Sequence, residues 1–236
     1  MLDFDFEPEA PEWAKQLAVF DLETTGLDVK TSRIVTACVA VLNQNGEVTD
    51  LGEWLVDPGI DIPEQASNVH GVTTEIAQRD GQDSALAVGE ISRRLAELSR
   101  LMPLVAFNAA YDFSILHHES LRVGIEPLDP KPVIDPLVID RKVDKWRKGK
   151  RNLTMMCDLY GIRLTDAHNS TADAVAAGQI AQRLAAQYSE LDLPAMELHN
   201  LQSEWADEWS REREAYFKRE NRPDFRAEFG WPVRLS

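Results

Sequence analysis

Cysteine is scarce in this chain, with two among 236 residues, Cys38 and Cys157. They stand far apart and carry neither the spacing of a zinc site nor that of a disulfide framework. Both lie in apolar stretches, the setting of a buried free thiol in a reducing, cytoplasmic compartment. Long hydrophobic runs are also missing. No apolar stretch approaches the ~18 residues that a membrane-spanning helix requires. Residues 1–12 are acidic and contain proline, unlike a cationic, apolar signal peptide, and we expect a flexible lead-in over residues 1–14. Positive charge is in deficit: 25 Lys and Arg against 40 Asp and Glu give a formal charge of −15. A surface that is acidic throughout repels a phosphate backbone, so nucleic-acid binding requires cations concentrated in one place. Internal repeats and low-complexity tracts are absent, which excludes solenoid and fibrous architectures.

What the chain does have is apolar residues, 44% of the total, enough for a full core. Residues 17–20 form a short apolar run that reads as a buried strand. Residues 33–42 are β-branched and apolar. Asn43-Gln44-Asn45-Gly46 then supplies a turn, and residues 48–56 read as the returning strand. Residues 104–107 and 132–135 read as two further short strands. Helical spacing of apolar residues covers 85–101. Asn108 is expected to cap a helix that ends at Gly124, and Ser170 one that runs to about residue 187. Shorter helices are expected around 136–143 and 153–160. Leu193-Pro194 marks a joint. Beyond it Leu198, Leu201, Trp205, Trp209 and Tyr216 fall near helical spacing, up to Arg222-Pro223. Strands first, then alternating strands and helices, predict an α/β fold with a five-stranded mixed sheet flanked by helices. The expected organisation is a domain over 15–190 and a C-terminal helical extension over 195–236.

Three acidic motifs carry the chemistry. In Val19-Phe20-Asp21-Leu22-Glu23-Thr24-Thr25-Gly26, the two acids lie two apart on a strand and share a face. Like charges at the end of a buried strand resist desolvation. Either water reaches them or a cation sits between them, and hard divalent cations prefer oxygen ligands. In Phe107-Asn108-Ala109-Ala110-Tyr111-Asp112 a helix follows a strand and presents an acid in its first turn. Asp112 fits either a complement to the helix dipole or a ligand. In His168-Asn169-Ser170-Thr171-Ala172-Asp173 the acid falls at the third helical position if Ser170 is the cap, with His168 on the preceding loop. Each motif alone has a structural explanation. Their occurrence together, in this order, is far more specific.

The three motifs resemble those of the DEDDh (DnaQ-like) 3′→5′ exonuclease family, especially the group containing the proofreading epsilon subunit of bacterial DNA polymerase III. The likeness spans residues 18–184 and includes Val69-His70-Gly71-Val72-Thr73, a segment common near the substrate in that group. It implies a ribonuclease H-like fold. It also implies two divalent ions, Mg²⁺ or Mn²⁺, held by Asp21, Glu23, Asp112 and Asp173, with His168 as general base. Such a site would hydrolyse DNA from its 3′ end to nucleoside 5′-monophosphates. Thr24, Thr25, Gly26 and Leu27, with His70 and Asn108, would lie against the terminal nucleotide, Gly26 through its backbone. The same family includes RNA 3′-end exonucleases and oligoribonucleases, and a non-catalytic nucleic-acid or polymerase-binding module is a further alternative. Residues 195–236 match no polymerase-binding tail. Their apolar stripe either packs on the chain's own domain or docks on a polymerase or another replication or repair protein.

One segment answers the charge deficit. Residues 141–151 contain Arg141, Lys142, Lys145, Arg147, Lys148, Lys150 and Arg151. Lying between the second and third acid motifs, this segment is expected to flank the site. Lys148 and Lys150 would meet phosphates, and Trp146 would stack on a base.

Overall fold

The structure, a computed structural model, describes residues 10–164, 168–222 and 224–235. Three long strands form an antiparallel meander: β1 (Leu17–Thr24), β2 (Ile34–Leu42) and β3 (Val48–Asp57). The β2–β3 turn is held by Asn43, whose Oδ1 accepts the amides of Asn45 and Glu47, and Gly46 takes φ 74°. The chain then forms the short helices α1 (Glu64–His70) and α2 (Thr74–Asp80). Strand β4 (Gln82–Asp83) and helix α3 (Ser84–Leu98) follow. Strand β5 (Leu104–Val105) leads into α4 (Ala110–Val123), and β6 (Val133–Ile134) into α5 (Pro136–Val143). Helices α6 (Leu153–Tyr160), α7 (Ser170–Gln187) and α8 (Ala195–Arg219) complete the chain.

The sheet order is β4-β3-β2-β1-β5-β6, with β5 and β6 parallel to β1. Six strands replace the expected five. The sixth, β4, pairs with β3 over two residues and is too short to leave a periodic signal. Helices cover both faces. Leu17 and Val19 point toward α7, while Ala18, Phe20 and Leu22 point toward α3 and α4, where Phe20 meets Phe113 with ring centroids 5.3 Å apart. Because side chains alternate along a strand, Asp21 and Glu23 share the α7 face. Helix α7 lies close on that face because Gly178 has no side chain: a Cβ there would come within 2.5 Å of both Val19 and Leu42.

Strand β6 ends the sheet, and helix α8 covers it. Gln202 Oε1 accepts the Asp135 amide at 2.7 Å and its Nε2 donates to the Val133 carbonyl, while His199 Nδ1 accepts the Val133 amide at 3.0 Å. Two side chains thus do the work of a missing strand and leave no open edge there. The inner stripe of α8, with Leu198 and Trp205, is packed into the domain.

Several local expectations need correction. The lead-in does not extend to residue 14: Trp13 and Ala14 are buried and Trp13 Nε1 donates to the Leu191 carbonyl, while residues 1–9 lie outside the described residues. Asn108 is not a side-chain cap; its φ is 61° and its amide donates to Asp135 instead. The cap of α7 is Asn169, which accepts the amides of Thr171 and Ala172, so Ser170 is the first helical residue. Helix α8 ends at Arg219; Pro223, expected to stop it, and Ser236 lie outside the described residues.

Candidate active site

Asp21 and Glu23 stand near the end of β1, opposite Cys38 and Thr36 of β2. The register shifts between Glu23 and Thr24, a bulge immediately beyond the acids that turns the chain away from the sheet. Burial pushes the Cys38 thiol up to about 11, which leaves it protonated and a poor ligand. Asp112, in the first turn of α4, reaches across ninety positions of sequence: its Oδ1 accepts the Leu22 amide, between the two β1 acids, at 3.1 Å. Asp173, in the first turn of α7, accepts the His168 amide at 3.2 Å. His168 sits on the exposed loop before α7 at φ 70°. Oxygen and nitrogen atoms of Glu23, His168 and Asp173 lie within 4.8 Å of one another.

The four carboxylates act on one another electrostatically. The Asp21 carboxyl is raised well above the ordinary range by burial, and then by Asp112, Glu23 and Asp173. Glu23 is pushed up to about 7, by burial and then by Asp173. Asp112, 3% exposed, is raised by burial, with Asp135 and Glu23 adding to it and the Leu22 amide opposing it. Like charges gathered in a low dielectric destabilise the ionised fold. Hard oxygen donors around one position fit divalent cations, which would remove that cost. The donor set and its electrostatics therefore fit the implied metal ions.

The surrounding residues hold this geometry. The Tyr111 and Thr24 hydroxyls lie 2.6 Å apart, each within hydrogen-bond reach of the Gly26 carbonyl, so that one donates to its neighbour and the other to Gly26. Thr25 Oγ1 accepts the Arg33 amide. Thr24 and Thr25 are each 7% exposed, so their hydroxyls fasten the loop after β1 rather than reach outward. Gly26 does not adopt a positive φ; its lack of a side chain admits Ser32, whose Oγ would lie 3.2 Å from a Cβ. Leu27, by contrast, is 89% exposed. His70, at the end of α1, faces the Thr24 backbone, and burial lowers its pKa, which favours the neutral ring.

Asp135 was read only as the end of a strand, yet it organises the site. It is 1% exposed and accepts the amides of Asn108, Ala109 and Leu137 at 3.0, 2.9 and 3.0 Å, with Trp231 Nε1 at 3.3 Å. It thereby fixes the turn that aims Asp112. Its signal in sequence was Asp-Pro at a helix start, since Asp135 caps α5 with Pro136 at the first position.

The basic segment is less free than its composition suggests. Arg147 and Arg151 both grip buried Asp140, which also accepts the Tyr160 hydroxyl. Lys142 and Lys145 pair with Glu208 and Glu212 of α8 at 3.2 and 2.6 Å. Trp146, Lys148 and Lys150 are exposed on the loop between α5 and α6. Trp146 is 87% exposed.

The sheet order, with acidic residues near the end of its central strand, is that of the ribonuclease H-like exonuclease fold. The family model RNase_T, described as "Exonuclease", matches residues 18–181. The chain belongs to this exonuclease family. It is 30% identical over 183 residues to a DNA polymerase III PolC-type of Listeria monocytogenes, covering 78% of this chain and 12% of that protein. It is 29% identical over 197 residues to a DNA polymerase III subunit epsilon-like protein of Rhodobacter capsulatus, covering 82% and 26%. The chain thus spans about a quarter or less of these relatives' length. E. coli exonuclease I, solved with a dA16 oligonucleotide, shares the fold with a TM-score of 0.64 at 17% identity, over 75% of this chain and 42% of that one. No described helix is long and apolar enough to cross a membrane.

Proposed function

We propose that the protein is a 3′→5′ exonuclease that shortens DNA by one nucleoside 5′-monophosphate at a time. The convergence of Asp21, Glu23, Asp112 and Asp173 beside His168 carries this reading. Divalent cations at these carboxylates, Mg²⁺ or Mn²⁺, would supply counter-charge to the attacking and leaving oxygens of an in-line displacement. Glu23, Asp173 and His168 frame the position of the attacking water, and a ring nitrogen of His168 takes its proton. Asp21, on which Asp112, Glu23 and Asp173 all act, would serve both cations, and Asp112 the one toward the leaving oxygen. Leu27 offers an apolar contact to the terminal nucleotide, on a loop stiffened by Thr24, Thr25 and Tyr111. The PolC-type and epsilon-like relatives are named as parts of a DNA polymerase, and exonuclease I was solved with a deoxyoligonucleotide. Both favour DNA over RNA.

The test incubates 3′-labelled DNA and RNA oligonucleotides of one sequence with the protein and Mg²⁺ or Mn²⁺, with and without EDTA. Metal-dependent release of labelled mononucleotide from DNA is the expected result. Release from RNA alone would transfer the activity to the other polymer, and no release from either would end the reading. His168→Ala is expected to lower turnover by about 10²–10⁴, the usual contribution of a general base. Unchanged turnover would remove His168 from the reaction.

A further inference from the structure

The C-terminal segment beyond the family match builds a groove beside the site. A cavity of about 310 Å³ lies between α8, the stretch 225–234 and the Asn108–Ala110 turn, with Asp135 at its base. A second, of about 340 Å³, continues between α5 and α8 to Trp146. The two share Val138, Arg141, Ala206 and Trp209, so they form one trough. It starts at the turn that presents Asp112 and ends at the exposed indole of Trp146.

Charge along this trough runs against the rest of the chain. The carboxylates that line it are engaged: Glu208 and Glu212 with lysines, Asp207 with Arg211, Glu228 with Arg234, and Asp135 with backbone amides. Arg141 and Arg213 form no ion pair with any described carboxylate. Instead their guanidinium carbons lie 3.7 and 5.1 Å from the centroid of the Trp209 ring. Burial pushes the Arg141 guanidinium down to about 10; Asp135 and Asp140 oppose this, while Arg151 and Arg213 add like charge. In a chain of net charge −15, two neighbouring arginines that form no ion pair with a described carboxylate are placed to take an anion. A guanidinium stacked on a ring uses its face, and its N–H donors lie in its plane, available to a phosphate.

We propose that this trough carries the backbone of single-stranded nucleic acid away from the active site, with Arg141 and Arg213 holding phosphates upstream of the scissile bond. The inference rests on the exonuclease reading. It also explains how an acidic protein holds a polyanion: the contact lies between α5 and the C-terminal segment and not in Lys148 and Lys150 alone. Trp146, at the far end, offers an exposed ring for a base.

The experiment measures binding without turnover. The full chain, in EDTA, is titrated into a 5′-fluorescein oligothymidylate of about twelve nucleotides, and anisotropy gives Kd across a range of salt. Arg213→Gln, on the exposed side of α8, and Arg141→Gln are each expected to raise Kd about ten-fold, the effect of losing one charge-assisted phosphate contact. Each should also reduce the slope of log Kd against log salt by roughly 0.7. A trinucleotide, too short to fill the trough, should show no such difference. Thermal melts establish that each variant is folded, and Arg213→Gln keeps the test intact should Arg141→Gln destabilise the protein. If a folded Arg213→Gln binds the longer strand with wild-type affinity and slope, the trough is not the path. Failure of the exonuclease reading would appear separately, as a wild-type protein that binds the strand but releases no nucleotide with Mg²⁺.

Discussion

Neutralising Glu23 is expected to stabilise the metal-free protein while abolishing its activity. Burial and Asp173 raise the Glu23 carboxyl from 4.5 to about 7. A raised carboxyl binds its proton more tightly in the fold than in the unfolded chain. Its stabilising effect is therefore complete below pH 4.5 and is lost as pH rises through about 7. The full shift corresponds to about 3 kcal/mol. Glu23 is only partly buried, and screening reduces that to roughly 1–2 kcal/mol. Glu23→Gln removes the charge and keeps the shape. In EDTA at pH 8 it should melt roughly 3–6 °C above wild type, at the sensitivity usual for a chain of this size. At pH 5 the gap should shrink to a small fraction, because wild-type Glu23 is then mostly protonated. Adding Mg²⁺ or Mn²⁺ at pH 8 should raise the melting temperature of the wild type but have little effect on the variant. Circular dichroism melts at the two pH values, with and without metal, measure all of this. Equal melting of the two proteins in EDTA at pH 8 would refute the claim that the site is an electrostatic liability awaiting a cation.

Asp135→Ala strands the amides of Asn108, Ala109 and Leu137, at about 1–3 kcal/mol each. We expect a destabilised protein whose kcat falls about 10²-fold through misplacement of Asp112, with a smaller change in KM; steady-state kinetics on folded material check the split. Gly178→Ala forces a Cβ against Val19 and Leu42, and the overpacking, about 1–3 kcal/mol, should outweigh the roughly 1 kcal/mol gained in helix propensity. A melting temperature above wild type would show that α7 does not sit as close to the sheet as described. Reversing Lys148 and Lys150 to Glu should raise KM for oligonucleotide in a salt-dependent way, since both are exposed on the Trp146 loop. An unchanged KM and salt slope would leave substrate binding to the trough alone.

The sequence by itself determined what depends on neighbours along the chain. Alternation puts Asp21 and Glu23 on one face of β1, Gly124 ends α4 in a left-handed turn, and Asn43–Gly46 closes the β2–β3 hairpin. These follow from backbone geometry within a few residues. The segment between β3 and α3 was not legible, because α1 and α2 are seven residues each and too short for a periodic signal. Asn108 could be named but not understood: its conformation is set by Asp135, twenty-seven positions later. Composition likewise overstated the basic segment, since Asp140, Glu208 and Glu212 engage most of its cations. Only the tertiary structure decided that Asp112 meets the Leu22 amide, that Gln202 and His199 seal β6, and that Arg141 and Arg213 share Trp209. Each of these pairings joins residues far apart in the chain. Local propensity carries no information about such partners, which are set by which polar groups burial leaves unsatisfied.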